Sequence, residues 1–283
     1  MNVKSVNKMY RIMAPIAGLA YLLAVMPRMF WRPEKMPGKY YAHRGLHDNQ
    51  SDAPENTMPA FRKAVEAGYG IELDIQLTKD GKVVVVHDFN LKRLCGIDKE
   101  VDKMTYEELQ KLTILDSRER IPLFEDVLDL VDGRVPLIVE LKVKNIKSRI
   151  CQAADAILQE YHGVYCIESF APNALLWYRF HRRRVYRGQL SSDFSNDDLH
   201  GIGYVIQQYL LANVFTAPDF IAYDYRHRTN PSKNICRWLY KCPSVAWTIR
   251  SQEQLDEAKK YYDYFIFEGF TPKDRISGIR RTV

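Results

Sequence analysis

The chain has 283 residues, 46% of them hydrophobic and 27% charged, a balance that supports a sizeable core and excludes wholesale disorder. Its 41 basic against 35 acidic side chains leave a net charge of +6, a mild bias towards anionic partners such as phosphate esters or acidic lipid surfaces. The densest basic group, His181-Arg182-Arg183-Arg184, reads as a solvated helix end rather than a nucleic-acid patch, and five cysteines without C-x-x-C spacing read as small core residues rather than a disulfide framework or zinc site.

Residues 1–32 come first, as an apolar helix with its flanks. Ile12 to Met26 is uncharged and mainly apolar, and it extends to Trp31 if Arg28 snorkels. Only the extended version reaches the ~20 residues that span a bilayer. Ala24-Val25-Met26 is a poor signal-peptide cleavage site, and a helix packed into the core is a second alternative. Basic residues on both sides (Lys4, Lys8 and Arg11, then Arg28, Arg32, Lys35 and Lys39), with Tyr10, Tyr21, Phe30 and Trp31 near the edges, favour a membrane anchor and leave its orientation open. Residues 33–39, with two prolines and a glycine, read as a linker.

From Tyr40 to Val283 short β-branched runs alternate with helix-period stretches. Strands are expected at Tyr40–His43, Gly70–Leu77, Val83–His87, Leu137–Leu141, Tyr165–Ser169, Val185–Leu190, Phe220–Tyr223, Val245–Thr248 and Tyr264–Phe267. Helices are expected at Asn56–Ala67, Tyr106–Leu112, Leu123–Val131, Ile146–Tyr161, Pro172–Phe180, Gly203–Leu211, Lys233–Lys241 and Gln252–Tyr262. The Lys79-Asp80-Gly81 turn joins two β arms as a hairpin after the second strand, so the repeats number eight. Eight β–α repeats over residues 40–283 predict a (β/α)₈ barrel, with its site where strands end and loops begin. An open doubly wound sheet is the alternative, but the first strand runs into His43-Arg44-Gly45 rather than a glycine-rich phosphate loop.

Glu72 and Asp74 lie two apart in the strand Gly70–Leu77, so both face one side while Ile71, Leu73 and Ile75 face the other. If the apolar face packs on helices, the acids point into the barrel, where two like charges need a cation. Magnesium or calcium, bound through oxygen, meets that need; on an exposed edge strand the same pair would merely be solvated. Glu140 and Lys142 share a face of the strand Leu137–Leu141 and its end. Alone they make a structural ion pair; with Glu72 and Asp74, Glu140 completes a three-carboxylate set for one divalent cation. His43 and His87 close two strands and can exchange protons near neutral pH, and Arg44 and Lys142 offer positive charge to a phosphate.

In order along the chain stand Ala42-His43-Arg44-Gly45, Pro54-Glu55-Asn56-Thr57, Glu72-Leu73-Asp74, Thr78-Lys79-Asp80-Gly81, Val85-Val86-His87-Asp88, Glu140-Leu141-Lys142, Ser169-Phe170 and Trp247-Thr248. This series resembles the glycerophosphodiester phosphodiesterase family, densely to Lys142 and thinly beyond. The resemblance implies a (β/α)₈ barrel that hydrolyses glycerophosphodiesters to glycerol 3-phosphate and an alcohol. It implies one divalent metal on Glu72, Asp74 and Glu140, with His43 and His87 as the acid–base pair. Arg44 and Lys142 would lie on the phosphate, Glu55 and Asn56 in the loop beside the substrate, and Trp247 against the alcohol or glycerol. Two departures stand out: Arg93-Leu94-Cys95 replaces an Arg-Thr-Thr run, and Phe267-Glu268-Gly269-Phe270-Thr271-Pro272 replaces the usual end of the last strand. An alternative is a membrane-bound phosphodiesterase acting on intact or lysophospholipid. An inactive, membrane-tethered binding protein would have lost a metal or acid–base residue, and all five are present. Nothing points to nucleic acid, a nucleotide cofactor or an obligate protein partner.

Overall fold

A computed structural model describes residues 3–30, 38–144, 149–194 and 201–273. The strands are β1 (Tyr40–His43), β2 (Gly70–Leu77), β3 (Val83–Val85), β4 (Leu137–Leu141), β5 (Tyr165–Ser169), β6 (Arg187–Ser191), β7 (Phe220–Asp224), β8 (Ser244–Ile249) and β9 (Tyr264–Phe267). Each except β3 pairs in parallel with its neighbours, and β1 pairs with both β9 and β2, closing an eight-stranded barrel. The chain therefore has the expected (β/α)₈ architecture. β3 turns back antiparallel on the end of β2, as the hairpin reading required.

The helices are α1 (Val3–Ala24), α2 (Met58–Ala67), α3 (Lys92–Cys95), α4 (Tyr106–Leu109), α5 (Phe124–Val131), α6 (Arg149–Leu158), α7 (Pro172–His181), α8 (Ile202–Gln208), α9 (Asn213–Thr216), α10 (Pro231–Trp238) and α11 (Gln252–Ala258). Ile146, at the expected start of α6, lies outside the described residues, as do positions 33–37 of the linker. α3 and α9, four residues each, are not among the expected helices; α4, equally short, is, and it alone of the three carries a capping box, Thr105 with Glu108.

The period-2 rule sorts the strand residues into two shells. Ile71, Leu73, Ile75, Val139 and Ile167 belong to the layer between barrel and helices, while Tyr41, Ile138, Cys166, Phe220 and Val245 fill the barrel interior. Inward positions nearer the strand ends are polar: His43 on β1, Glu72, Asp74 and Gln76 on β2, Glu140 on β4, Glu168 on β5. The barrel is thus plugged by apolar side chains below and opens into charge above. Residues 83–121 build a separate small core from Val84, Val86, Leu91, Leu94, Val101, Leu109 and Ile121. There Thr105 and Glu108 form a reciprocal capping box on α4.

The N-terminal segment corrects an expectation. No helix among the described residues is long and apolar enough to cross a membrane, so the expected membrane-associated localisation through a single N-terminal anchor is not upheld. The reason lies in the helix itself: α1 begins at Val3 and includes Lys4, Lys8 and Arg11, and its uncharged part, Ile12 to Ala24, falls well short of ~20 residues. The end of the segment is committed to the barrel instead. Val25 is fully buried, and its carbonyl accepts from Asn213 Nδ2 at 3.1 Å and Cys236 Sγ at 3.2 Å. The Tyr240 hydroxyl donates to the Leu22 carbonyl at 2.8 Å, and the hydroxyls of Tyr21 and Ser232 lie 2.7 Å apart. Arg28 donates its backbone N–H to Pro218 and pairs with Asp219 at 3.3 Å, just ahead of β7. The opposite face of α1, with Met13, Ile16, Leu19 and Leu23, is exposed.

Candidate active site

β1, β2 and β4 are in register His43↔Glu72 and Asp74↔Glu140, so neighbouring strands deliver their inward side chains at matched heights. One carboxylate oxygen from each of Glu72, Asp74 and Glu140 lies within 4.8 Å of the others, all three residues being buried. Lys142 Nζ stands between two of them, 3.1 Å from Glu140 and 3.6 Å from Asp74. Burial and the Asp74 charge push the Glu72 carboxyl well up, and burial raises Glu140. Burial opposes the ionised form of Asp74 too, but His87, Lys142 and Arg44 hold it well below the usual range. Asp74 Oδ1 is buried without a hydrogen bond. Crowded, under-satisfied oxygens of this kind fit a hard divalent cation, which takes oxygen ligands.

Arg44 and Gly45 turn the chain out of β1 through left-handed backbone, with φ of 53° and 82°. A Cβ on Gly45 would stand 2.8 Å from the Ala60 carbonyl carbon, so only glycine lets this turn lie against α2. The turn aims the Arg44 N–H at Glu72 (3.1 Å) and its guanidinium at Glu55 (2.7 Å), with Nε 3.4 Å from Asp74. Glu55 also takes both amino groups of Arg93, at 2.7 and 2.8 Å, and the Asn49 amide. Although burial opposes it, these donors draw Glu55 down to about 2. Asn56 donates to Asp74 at 2.9 Å. Glu55 and Asn56, expected beside the substrate, are buried and hold Arg44 and Asp74 in place.

Each imidazole has a carboxylate behind it. His43 Nδ1 hydrogen-bonds Glu268, whose other oxygen accepts from Arg250 Nε at 2.7 Å. His87 Nδ1 lies 2.7 Å from Asp88, which Arg93 holds at 2.7 Å. In both, the pairing assigns a proton to Nδ1 and leaves Nε2 for proton exchange. Burial pushes His43 down to about 4, only partly opposed by Glu268, while Glu268, raised by burial, is brought down to about 2 by the same bond. His43 is therefore neutral near pH 7. The Gln76 amide donates to the carbonyls of Val86, His87 and Asp88 at 2.9, 3.0 and 2.9 Å, fixing the loop that carries His87. On the far side of the mouth Trp247 packs edge-on against Phe170 at 5.7 Å, and Phe170 against Phe194 at 6.3 Å. Trp247 Nε1 is buried without a hydrogen-bond partner.

Sequence reading gave no role to Glu268, Asp88, Gln76, Arg250 or Glu168. Gln76 was available from the period-2 rule that found Glu72 and Asp74. Glu268, by contrast, faces a residue 225 positions away. In the altered run the retained Arg93 clamps Glu55 and Asp88, and burial pushes the thiol of the departing Cys95 up to about 11.

Comparison with known proteins decides the family. The profile of the "Glycerophosphoryl diester phosphodiesterase family" matches residues 43–228. The chain belongs to that family. It is 43% identical over 114 residues to a glycerophosphodiester phosphodiesterase of Bacillus altitudinis, covering 38% of this chain and 45% of that one. It is 34% identical over 141 residues to the lysophospholipase D GDPD1 of Homo sapiens, covering 44% of each. The matched stretch thus spans less than half the length of these curated relatives. The fold aligns with a glycerophosphodiester phosphodiesterase from Thermotoga maritima at a TM-score of 0.63 and 25% identity, covering 83% of this chain and 96% of that one. An Oleispira antarctica phosphodiesterase, solved with its product sn-glycerol-3-phosphate, aligns at a TM-score of 0.65 and 20% identity, over 82% and 93%. The latter likeness speaks to fold alone.

Proposed function

We propose that this protein is a metal-dependent glycerophosphodiester phosphodiesterase, releasing glycerol 3-phosphate and an alcohol. One observation carries the reading: three buried carboxylates converge within 4.8 Å in a barrel mouth that also holds two imidazoles, each backed by its own carboxylate.

Cleaving a phosphodiester needs a deprotonated nucleophile, a protonated leaving oxygen and neutralised charge on the phosphoryl group. Glu72, Asp74 and Glu140 would hold one magnesium or calcium ion, which when bound supplies Lewis-acid neutralisation of the phosphate. Arg44, whose buried Nε makes no hydrogen bond, and Lys142 would add donors to the phosphate oxygens. His43, kept neutral by burial, suits the base; its Nε2 takes the proton of the attacking hydroxyl, and Glu268 stabilises the imidazolium formed. His87, a third exposed at its side chain, suits the acid: as the imidazolium, with its Nδ1 proton held by Asp88, it gives the Nε2 proton to the departing alkoxide. Glu55 and Asn56 act from behind, keeping Arg44 and Asp74 aligned, while the free indole N–H of Trp247 would meet the alcohol or glycerol.

The experiment is product release from glycerophosphocholine, with magnesium or calcium and then with EDTA. The expected result is turnover that EDTA abolishes and metal restores, with His43→Ala and His87→Ala folded but inactive; unchanged turnover in EDTA, or in either variant, overturns the reading. A second reading, lysophospholipid as substrate, is favoured by the aromatic shelf of Phe170, Phe194 and Trp247, which gives an acyl chain an apolar path out. Measuring choline release from lysophosphatidylcholine beside glycerophosphocholine ranks the two.

A further inference from the structure

Glu168 on β5 is in register with Glu140 on β4, which is in register with Asp74 on β2. Cys166, two residues earlier, lies inside the barrel, and Ile167 lies outside it. Glu168 therefore points inward, beside Glu140 and Asp74. It is 1% exposed, and its Oε2 is buried without a hydrogen-bond partner. Among the described residues no basic side chain lies within ion-pair distance of it, whereas Glu140 and Asp74 share Lys142. A carboxylate kept solely for structure would have a donor; this one faces a site already crowded with its own charge.

We propose that Glu168 is a fourth carboxylate of the divalent-cation site and that its charge strengthens cation binding. The proposal rests on the metal reading above and goes beyond it, because the three convergent acids do not include Glu168. Four acids (Glu72, Asp74, Glu140, Glu168) face Lys142 and an Arg44 that is itself paired to Glu55, a formal excess of negative charge that a divalent cation would offset. Hard cations of this class take six or more oxygen ligands, so a further acid one strand from Glu140 finds a use that the barrel wall does not give it.

Calorimetric titration of magnesium and of calcium into chelator-treated protein tests this without reference to turnover. Wild type is expected to bind one cation, and Glu140→Gln to lose it. Glu168→Gln should keep the stoichiometry and bind about 10- to 100-fold more weakly, while Glu168→Asp, which keeps the charge, should stay close to wild type. Wild-type affinity in Glu168→Gln, or equal weakening in Glu168→Asp, overturns the proposal and leaves the three-acid site standing. Failure of wild type to bind either cation overturns both readings. Should Glu168→Gln not fold, carbon-13 labelling of the glutamate carboxyls gives the answer in wild type: magnesium should perturb the resonances of Glu72, Glu140 and Glu168, and a shift confined to the first two overturns the proposal.

Discussion

The two sides of the barrel mouth are built on different physics. Around the ends of β1, β2 and β4 acids and bases are locked in ion pairs: Arg44 to Glu55, Lys142 to Glu140, Arg93 to Glu55 and Asp88. Opposite them, Phe170, Phe194, Tyr204 and Trp247 interlock through ring edges and faces. Charged partners on buried strands impose distance and direction, because an unpaired charge there costs several kcal/mol. Ring packing imposes mainly shape, and related shapes substitute for one another at small cost. The charged wall is therefore suited to the invariant part of a substrate, the phosphodiester, and the aromatic wall to the part that varies.

Substitutions break or sharpen this contrast. The largest loss is expected on the charged wall: Asp74→Asn, His43→Ala and His87→Ala should each lower kcat/KM by about 10²- to 10⁴-fold, measured on glycerophosphocholine with folding checked by circular dichroism. Glu268→Gln removes the charge behind His43 without removing the hydrogen-bond acceptor, and kcat should fall on the order of 10- to 100-fold. Because the carboxylate favours the imidazolium, the acid limb of the pH profile should move to lower pH; a limb that stays put would assign that ionisation elsewhere. Trp247→Ala on the aromatic wall should raise KM by about tenfold and leave kcat within about threefold, as expected when uniform binding is lost.

Away from the mouth, Val25→Asp buries a charge where the N-terminal segment meets the barrel. A cost of about 3 kcal/mol or more should lower Tm by roughly 6–12 °C in a domain of this size; an unchanged Tm would mean that the segment is only resting there. The smallest effect is expected at Lys233, fully buried on α10 with its ammonium 4.3 Å from the Tyr262 ring centroid. Burial pushes this lysine down to about 7. Between pH 7 and 10.5 the unfolded chain holds the proton that the folded chain has released, so this contribution to stability rises with pH. Lys233→Met should raise Tm by a few degrees at pH 7, and its advantage should shrink as the pH approaches 10.

The half of the site on β1, β2 and β4 was legible because its residues are close in sequence and follow the two-residue repeat: Glu72 with Asp74, Glu140 with Lys142, a histidine at a strand end. β1, β2, β4, β5 and β9 fall at their expected bounds, their β-branched and aromatic residues marking each run. The partners of the histidines were not legible. The bond from Glu268 to His43 exists only because the last strand returns to the first, and closure of a sheet leaves no local trace. Arg93 stands in the sequence only as the retained arginine of an altered run, and that its guanidinium joins Glu55 to Asp88 needed the fold. The N-terminal run misled because basic and aromatic flanks accompany bilayer helices, while Arg28 and Tyr21 here serve pairings with Asp219 and Ser232 that only the fold supplies.

Gln76 has a consequence for how the site is made ready. A single side-chain amide gathers three successive backbone oxygens, and Gln76 itself is rooted in the barrel wall. The stretch bearing His87 is thus tied down from beneath before any ligand arrives, so binding energy need not be diverted to ordering it. An uncharged group does this tethering, and its grip does not vary with acidity across the range in which the imidazole above it must gain and lose a proton.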